Sequence, residues 1–205
     1  MADTPVGMTF RETMAGPFAL DTHDPAEGQS RGRSTGVELA LHATVVIDNL
    51  ERFIADPHHL GGLTGTIDFA PFGMGMPAST GVFNLFSPTA EATLKLMVYE
   101  LGFTHASQAY YLAGKKEVRD DPGFDLWTDT TTLFTTLHTG PDAQGPVVGA
   151  GMLTLGVTDL VRLVSTFRAT GAPTTAEALA AVYTFGRFFL GELWESYVRH
   201  MVQPG

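Results

Sequence analysis

The sequence predicts a mainly β protein: an antiparallel β-barrel of about seven to eight strands, followed by two C-terminal α-helices. Three observations lead there. Val37–Asp48 alternates strictly, with Val37, Leu39, Leu41, Ala43, Val45 and Ile47 on one face and Glu38, His42, Thr44 and Asp48 on the other. That period of two with β-branched residues is the mark of a pleated strand with one apolar face. Further stretches of strand composition recur at short intervals between turn residues, which is the pattern of a meander. Helical spacing enters only after Val157. A long meander that closes on itself removes its exposed edges.

Taken in order, Met8–Leu20 ends in Gly16-Pro17-Phe18 and reads as an edge strand. Asp21–Gly36 scatters Gly28, Gly32 and Gly36 among Asp, Ser, Arg and Thr and reads as a polar, mobile loop. After the Val37–Asp48 strand, Asn49–Ala55 has the length of a helical turn, which Asp56-Pro57 ends. Leu63–Ala70, Gly81–Ser87, Thr93–Phe103 and Gln108–Val118 are the next strands. Gly73-Met74-Gly75-Met76, within Ala70–Pro77, reads as a flexible lid. Asp120-Asp121-Pro122-Gly123 is a turn, Asp125–His138 a long Thr-rich strand, Gly140-Pro141-Asp142 another turn and Val147–Leu155 the last strand. Thr158 can cap a helix from Asp159 to about residue 170, whose stripe is Leu160, Leu163, Val164 and Phe167 and whose end is set by Gly171 and Pro173. Thr174 and Glu177 then fit a capping box for a helix from Thr175 to about His200. That helix is apolar on more than one side, as expected of one that covers the barrel wall or mouth or joins a second chain. The whole, residues 1–205, reads as one domain.

Composition excludes several chemistries. The 205 residues hold 12 Lys plus Arg against 22 Asp plus Glu, a net charge of −10, and no Cys. Thiolate zinc sites, iron–sulfur clusters and a Cys nucleophile are thereby excluded, and the acidic balance argues against nucleic-acid and anionic-membrane partners. Met1–Phe10 lacks the apolar stretch of a secretory leader, and no run of about 20 apolar residues is long enough to span a membrane. The expected location is cytoplasmic. His58-His59 lack a third ligand at metal spacing, no glycine-rich loop opens a helix as in nucleotide sites, and no G-x-S-x-G elbow is present, so neither metal nor cofactor is expected.

Carboxylates and phenols inside apolar strands are the remaining places for chemistry. Glu100 stands on a face with Leu94, Leu96 and Val98, where it either pairs with Lys115 or Lys116 or has its pKa raised for acid–base work. Tyr99 shares the opposite face with Met97. His42 points inward or outward according to which face of its strand lines the barrel. Asp129 sits in a strand against its propensity and needs a partner. These four, Glu100, Tyr99, His42 and Asp129, are the candidate catalytic groups, with Tyr111, Trp127, Phe83 and Met97 as ligand contacts. Asp120, Asp121, Asp125 and Asp129 lack the calcium-loop pattern and read as a solvated turn.

Three segments carry a family resemblance: Phe10-Arg11-Glu12-Thr13-Met14-Ala15-Gly16, Leu112-Ala113-Gly114-Lys115-Lys116-Glu117-Val118, and Phe124 to Leu133. They resemble the accessory, non-flavin region found with some bacterial glucose–methanol–choline-type oxidoreductases of the cholesterol oxidase kind. The chain itself lacks their flavin domain. The resemblance implies a module that handles, or sits beside, a bulky apolar substrate such as a sterol; it supplies no catalytic residues. The fold expected is a lipocalin-like or allene-oxide-cyclase-like barrel, since eight strands can enclose one small ligand. The function expected is binding of a polyketide-, terpenoid- or steroid-like molecule and its cofactor-free cyclisation or isomerisation. A non-catalytic hydrophobic-ligand carrier or a module docking on a separate flavin oxidoreductase is the alternative, and a structural homodimer joined through the C-terminal helix is a third reading.

Overall fold

The alternation in β2 (Glu38–Ile47) is realised as buried Leu39, Leu41, Ala43, Val45 and Ile47 against half-buried or exposed neighbours, so its apolar face lines the interior. The computed structural model describes residues 4–91, 93–119, 131–156 and 162–201. The other strands are β1 (Gly7–Leu20), β3 (Leu60–Phe69), β4 (Gly73–Pro88), β5 (Leu94–His105), β6 (Gln108–Arg119), β7 (Thr132–Thr139) and β8 (Val147–Thr154). β2 to β8 pair in chain order, every neighbour antiparallel, and β1 closes the barrel by pairing with both β2 and β8. A short strand, β9 (Arg168–Thr170), joins β1 at Gly7–Thr9, where β8 has left it. Between the two, the Thr166 hydroxyl accepts from the Arg11 N–H at 2.9 Å and lies 3.1 Å from the Arg11 carbonyl, standing in for a strand partner.

Four expectations change. β1 is no edge strand: it pairs with β2 on one side and with β8 and β9 on the other, because the barrel closes through it. Asp21–Gly36 is not a loop: Pro25–Thr35 is a helix, α1. Asp24 caps it by accepting from the Glu27 N–H at 2.8 Å, Pro25 opens it, and Gly36 ends it in the left-handed conformation at φ 68°. Its only buried residues are Gly28 and Gly32. A Cβ on Gly28 would run into the Ala150 carbonyl and one on Gly32 into the Phe18 backbone, so α1 packs on β1 and β8 backbone to backbone. A helix held through glycines needs no apolar stripe, which is why periodicity missed it. Gly73–Met76 is no lid but the start of β4, paired with β3 from Phe69↔Gly73. Of the helix expected over residues 159–170, the described part is helical at residues 162–165 (α3) and does not reach 170, because β9 takes over where its backbone completes the β1 ladder. The described strand in the Thr-rich segment is Thr132–Thr139, and the rest of that expectation lies outside the described residues.

The ends of the barrel are closed by aromatic rings. At the end where β1 begins, the last helix, α4 (Thr175–Met201), lays Phe185 on the inward-facing Phe10 at 5.5 Å, with Phe167 at 4.9 Å and Phe53, from helix α2 (Leu50–Ala55), at 6.3 Å. The capping box that starts α4 is formed: Thr174 Oγ1 accepts from the Glu177 N–H at 3.2 Å, and Glu177 Oε2 accepts from the Thr174 N–H at 3.1 Å. At the other end Phe72 bridges Phe69, Tyr110 and His105 at 5.3, 4.8 and 4.6 Å. No helix among the described residues is long and apolar enough to cross a membrane.

Phe185 is fully buried and carries the ring contacts that seat α4. Phe185→Ala should therefore cost about 3–5 kcal/mol. The exposed Thr184→Ala should stay within about 0.5 kcal/mol. Urea unfolding of the two variants checks both values.

Candidate functional site

β1 places Met8, Phe10, Glu12, Met14 and Phe18 on the buried face, so one carboxylate stands in the middle of an apolar stripe. β6 does the same with Leu112, Gly114, Lys116 and Val118, bringing an ammonium into the interior. β5 adds Met97, Tyr99, Leu101 and Phe103. Glu12, Tyr99 and Lys116 are 6%, 3% and 1% exposed and form one polar group inside the barrel. Lys116 Nζ lies 4.9 Å from the centre of the Tyr99 ring, and the Glu12 carboxyl is near enough to act electrostatically on both Tyr99 and Lys116. Glu12 Oε1 is buried with no hydrogen-bond partner. Around them Phe83 meets Tyr99 edge-on at 5.2 Å and Phe10 at 5.8 Å. Met97 faces Lys116 across the β5–β6 ladder.

Burial is the main influence on these groups. It raises the Tyr99 phenol well above its ordinary value, and the charge of Glu12 pushes the same way. Burial also lowers the Lys116 ammonium, against the attraction of Glu12. The interior thus keeps a phenol protonated beside an amine driven toward its neutral form. Thr135, fully buried on β7, satisfies its hydroxyl locally on the Leu133 carbonyl at 3.1 Å.

Of the residues singled out from sequence, Tyr99, Phe83 and Met97 stand together in this interior. Glu100 stands on the outer face, where Tyr111 donates its hydroxyl to Glu100 Oε2 at 2.7 Å. The expected lysine partners of Glu100 are elsewhere: Lys115 pairs with Glu117 at 2.9 Å on the outside, and Lys116 is inside because adjacent positions of a strand face opposite ways. His42 is also on the outer face, between the Thr13 hydroxyl at 3.1 Å and Asp68 Oδ2 at 3.1 Å. Asp68 in turn accepts from the Gly75 N–H, which lowers its pKa first, with His42 second. Asp129 and Trp127 lie outside the described residues. Glu12 is the residue that sequence reading passed over. The signal was available: Met8, Phe10, Glu12 and Met14 already alternate, with one carboxylate out of pattern. Among the described residues no group of three or more His, Asp or Glu side chains could hold a metal ion.

Two grooves open on the outside. One, of about 330 Å³, is lined by Thr9, Phe10, Arg11, Thr44, Thr166 and Arg168, where β1 passes from β8 to β9. Its Phe10 is the inward position next to Glu12 along β1. The other, about 470 Å³, lies between α2 and the β3–β4 strands, with exposed Leu60 and Val82 on its rim.

A closed eight-stranded antiparallel barrel with an ionisable interior is the class these observations define. No family model, no curated protein and no solved structure matches the chain.

Burial, the Glu100 hydrogen bond and nearby carboxylate charge hold the Tyr111 phenol above its ordinary value. Above about pH 10 the unfolded chain releases this proton and the folded chain keeps it, so stability is lost as pH rises. Tyr111→Phe removes that loss. The stability advantage of the natural chain over Tyr111→Phe should therefore shrink from about pH 9 to about pH 11 in paired denaturant titrations.

Proposed function

We propose that the barrel binds a bulky apolar small molecule and promotes its cyclisation or isomerisation by acid–base chemistry of its own side chains. One observation carries the reading: Glu12, Tyr99 and Lys116 are buried together among apolar residues, with one carboxylate oxygen unpartnered. Replacing a buried ionic pair by packed apolar side chains is often neutral or stabilising, so fold stability alone gives such a group no reason to be there. In a dry interior a carboxylate, a protonated phenol and an amine can each move a proton, and enclosing walls restrain the conformation of a flexible substrate. Phe10, Phe83 and Met97 supply apolar and adaptable contact.

Native mass spectrometry of the purified protein tests binding, and the expected result is a retained apolar organic molecule. With that molecule or its precursor as substrate, Glu12→Gln should lower turnover about 10²–10⁴-fold. Glu100→Gln and His42→Asn, on the outer face, should leave turnover unchanged. Equal turnover in all three variants sinks the acid–base reading.

The second reading is a carrier or an accessory module that docks on a flavin oxidoreductase, in line with the family resemblance. A specific observation favours a docking face: Leu179, Tyr183 and Leu190 on α4 are 66%, 66% and 48% exposed at helical spacing. Burying such a stripe against the same stripe of a second copy gives the homodimer. Light scattering at micromolar concentration should then report twice the chain mass, falling to the chain mass in Tyr183→Glu. A monomer in the natural protein removes the dimer.

A further inference from the structure

Among the chain's lysines, Lys95 and Lys115 are exposed, while Lys116 lies within the barrel. A strand position facing an apolar interior is ordinarily filled by a hydrophobe, as Leu112 and Val118 fill theirs on the same face of β6. The amine therefore has to be explained by something other than packing. Its surroundings are specific. The Tyr99 ring faces Nζ at 4.9 Å, Glu12 acts electrostatically on both Tyr99 and Lys116, and Glu12 Oε1 is buried with no partner.

We propose that Lys116 is a covalent catalyst: its Nζ condenses with an aldehyde or ketone carried on the apolar ligand, while Tyr99 and Glu12 move the protons. This rests on the reading that the interior receives a ligand. It narrows that ligand to a carbonyl compound.

The step balances without an oxidant or reductant. The Nζ lone pair attacks the carbonyl carbon, the C–N bond forms, and the first nitrogen proton passes to the carbonyl oxygen to give a carbinolamine. Tyr99 donates its phenolic proton to that hydroxyl, the C–O bond breaks and water leaves. Glu12 collects the proton released by nitrogen and returns it to Tyr99. The sum is amine plus carbonyl to imine plus water, both protons of the water coming from the amine. While protonated, the imine draws electrons from the neighbouring carbon, and the Tyr99 ring faces the cation. Glu12 can then remove the α-proton to give an enamine. Protonation at another carbon moves a double bond, attack on a second carbonyl closes a ring, and water finally releases Lys116.

The environment suits each part. Desolvation drives Lys116 toward the neutral amine that a nucleophile requires, and it keeps the Tyr99 phenol protonated as an acid. Exclusion of water protects an imine from early hydrolysis.

The test uses the full chain, cinnamaldehyde and sodium borohydride. Borohydride reduces an imine to a stable secondary amine, so each trapped site gains the aldehyde mass less one oxygen atom. Intact mass spectrometry counts the adducts, and fragment spectra after chymotryptic digestion separate Lys116 from Lys115. The expected result at neutral pH is labelling of Lys116 at least about tenfold above Lys115 and Lys95, because burial drives its amine toward the neutral, nucleophilic form. Lys116→Met should abolish the adduct, whereas Lys115→Arg and Lys95→Arg should retain it. If Lys116→Met does not fold, the Lys116 to Lys115 labelling ratio in the natural chain decides alone. Labelling spread evenly over the three lysines overturns the proposal. An apolar ligand retained in native mass spectrometry without trapping at Lys116 overturns the imine and leaves the binding reading standing. Neither retention nor trapping overturns both.

Discussion

Strand β1 is hydrogen-bonded on both sides. Its register with β2 runs unbroken from Met8↔Ile47 to Pro17↔Glu38, and its other edge meets β8 from Ala15 to Leu20 and β9 from Gly7 to Thr9. This double pairing turns an open meander into a barrel and leaves no free edge between first and last strands. It also decides which face of every strand looks inward. A slip of one residue in β1 would send Met8, Phe10, Met14 and Phe18 to the surface and Arg11 and Thr13 to the core. The same register that buries these apolar residues carries Glu12 in with them.

The interior is thereby committed to an electrostatic compromise. Closing the barrel strips water from a phenol and an amine at once, and for Tyr99 and Lys116 this desolvation disfavours the charged form. Partial compensation comes from within the group: Glu12 attracts Lys116, and Lys116 lies against the Tyr99 ring. The unpartnered Glu12 oxygen shows that the compensation is incomplete. Above and below, Phe185 on Phe10 and Phe72 on Phe69 keep the two ends apolar, so the field of these groups is not screened by bulk solvent.

Much of this was legible from residues alone. The strands around Leu39–Ile47 and Tyr99–Leu101 are alternating and apolar enough to read, and Thr174 with Glu177 announced the start of α4. α1 was not legible, because Gly28 and Gly32 pack through bare backbone and leave no apolar period to detect. β9 was not legible either, since three residues become a strand only when β1 offers them a ladder. Within the site, Tyr99, Phe83 and Met97 were identified, while Glu12 was missed because β1 was read as an edge strand. Glu100 and His42 drew notice as polar residues within strands, but their partners, Tyr111 and Asp68, sit on neighbouring strands on the outer face.

Alternation within a strand is a local property, so the sequence by itself determined the fold class, most strand positions and which residues of each strand travel together. Whether a face points into the barrel depends on closure, a relation between β1 and β8 that are far apart in the chain. Only the tertiary structure could therefore move Lys116 from a surface partner of Glu100 to an interior neighbour of Tyr99 and Glu12. The reason is geometric: successive side chains of a strand face opposite ways, so Lys115 and Lys116, alike in sequence, are divided by the wall into a solvated ammonium and a desolvated amine.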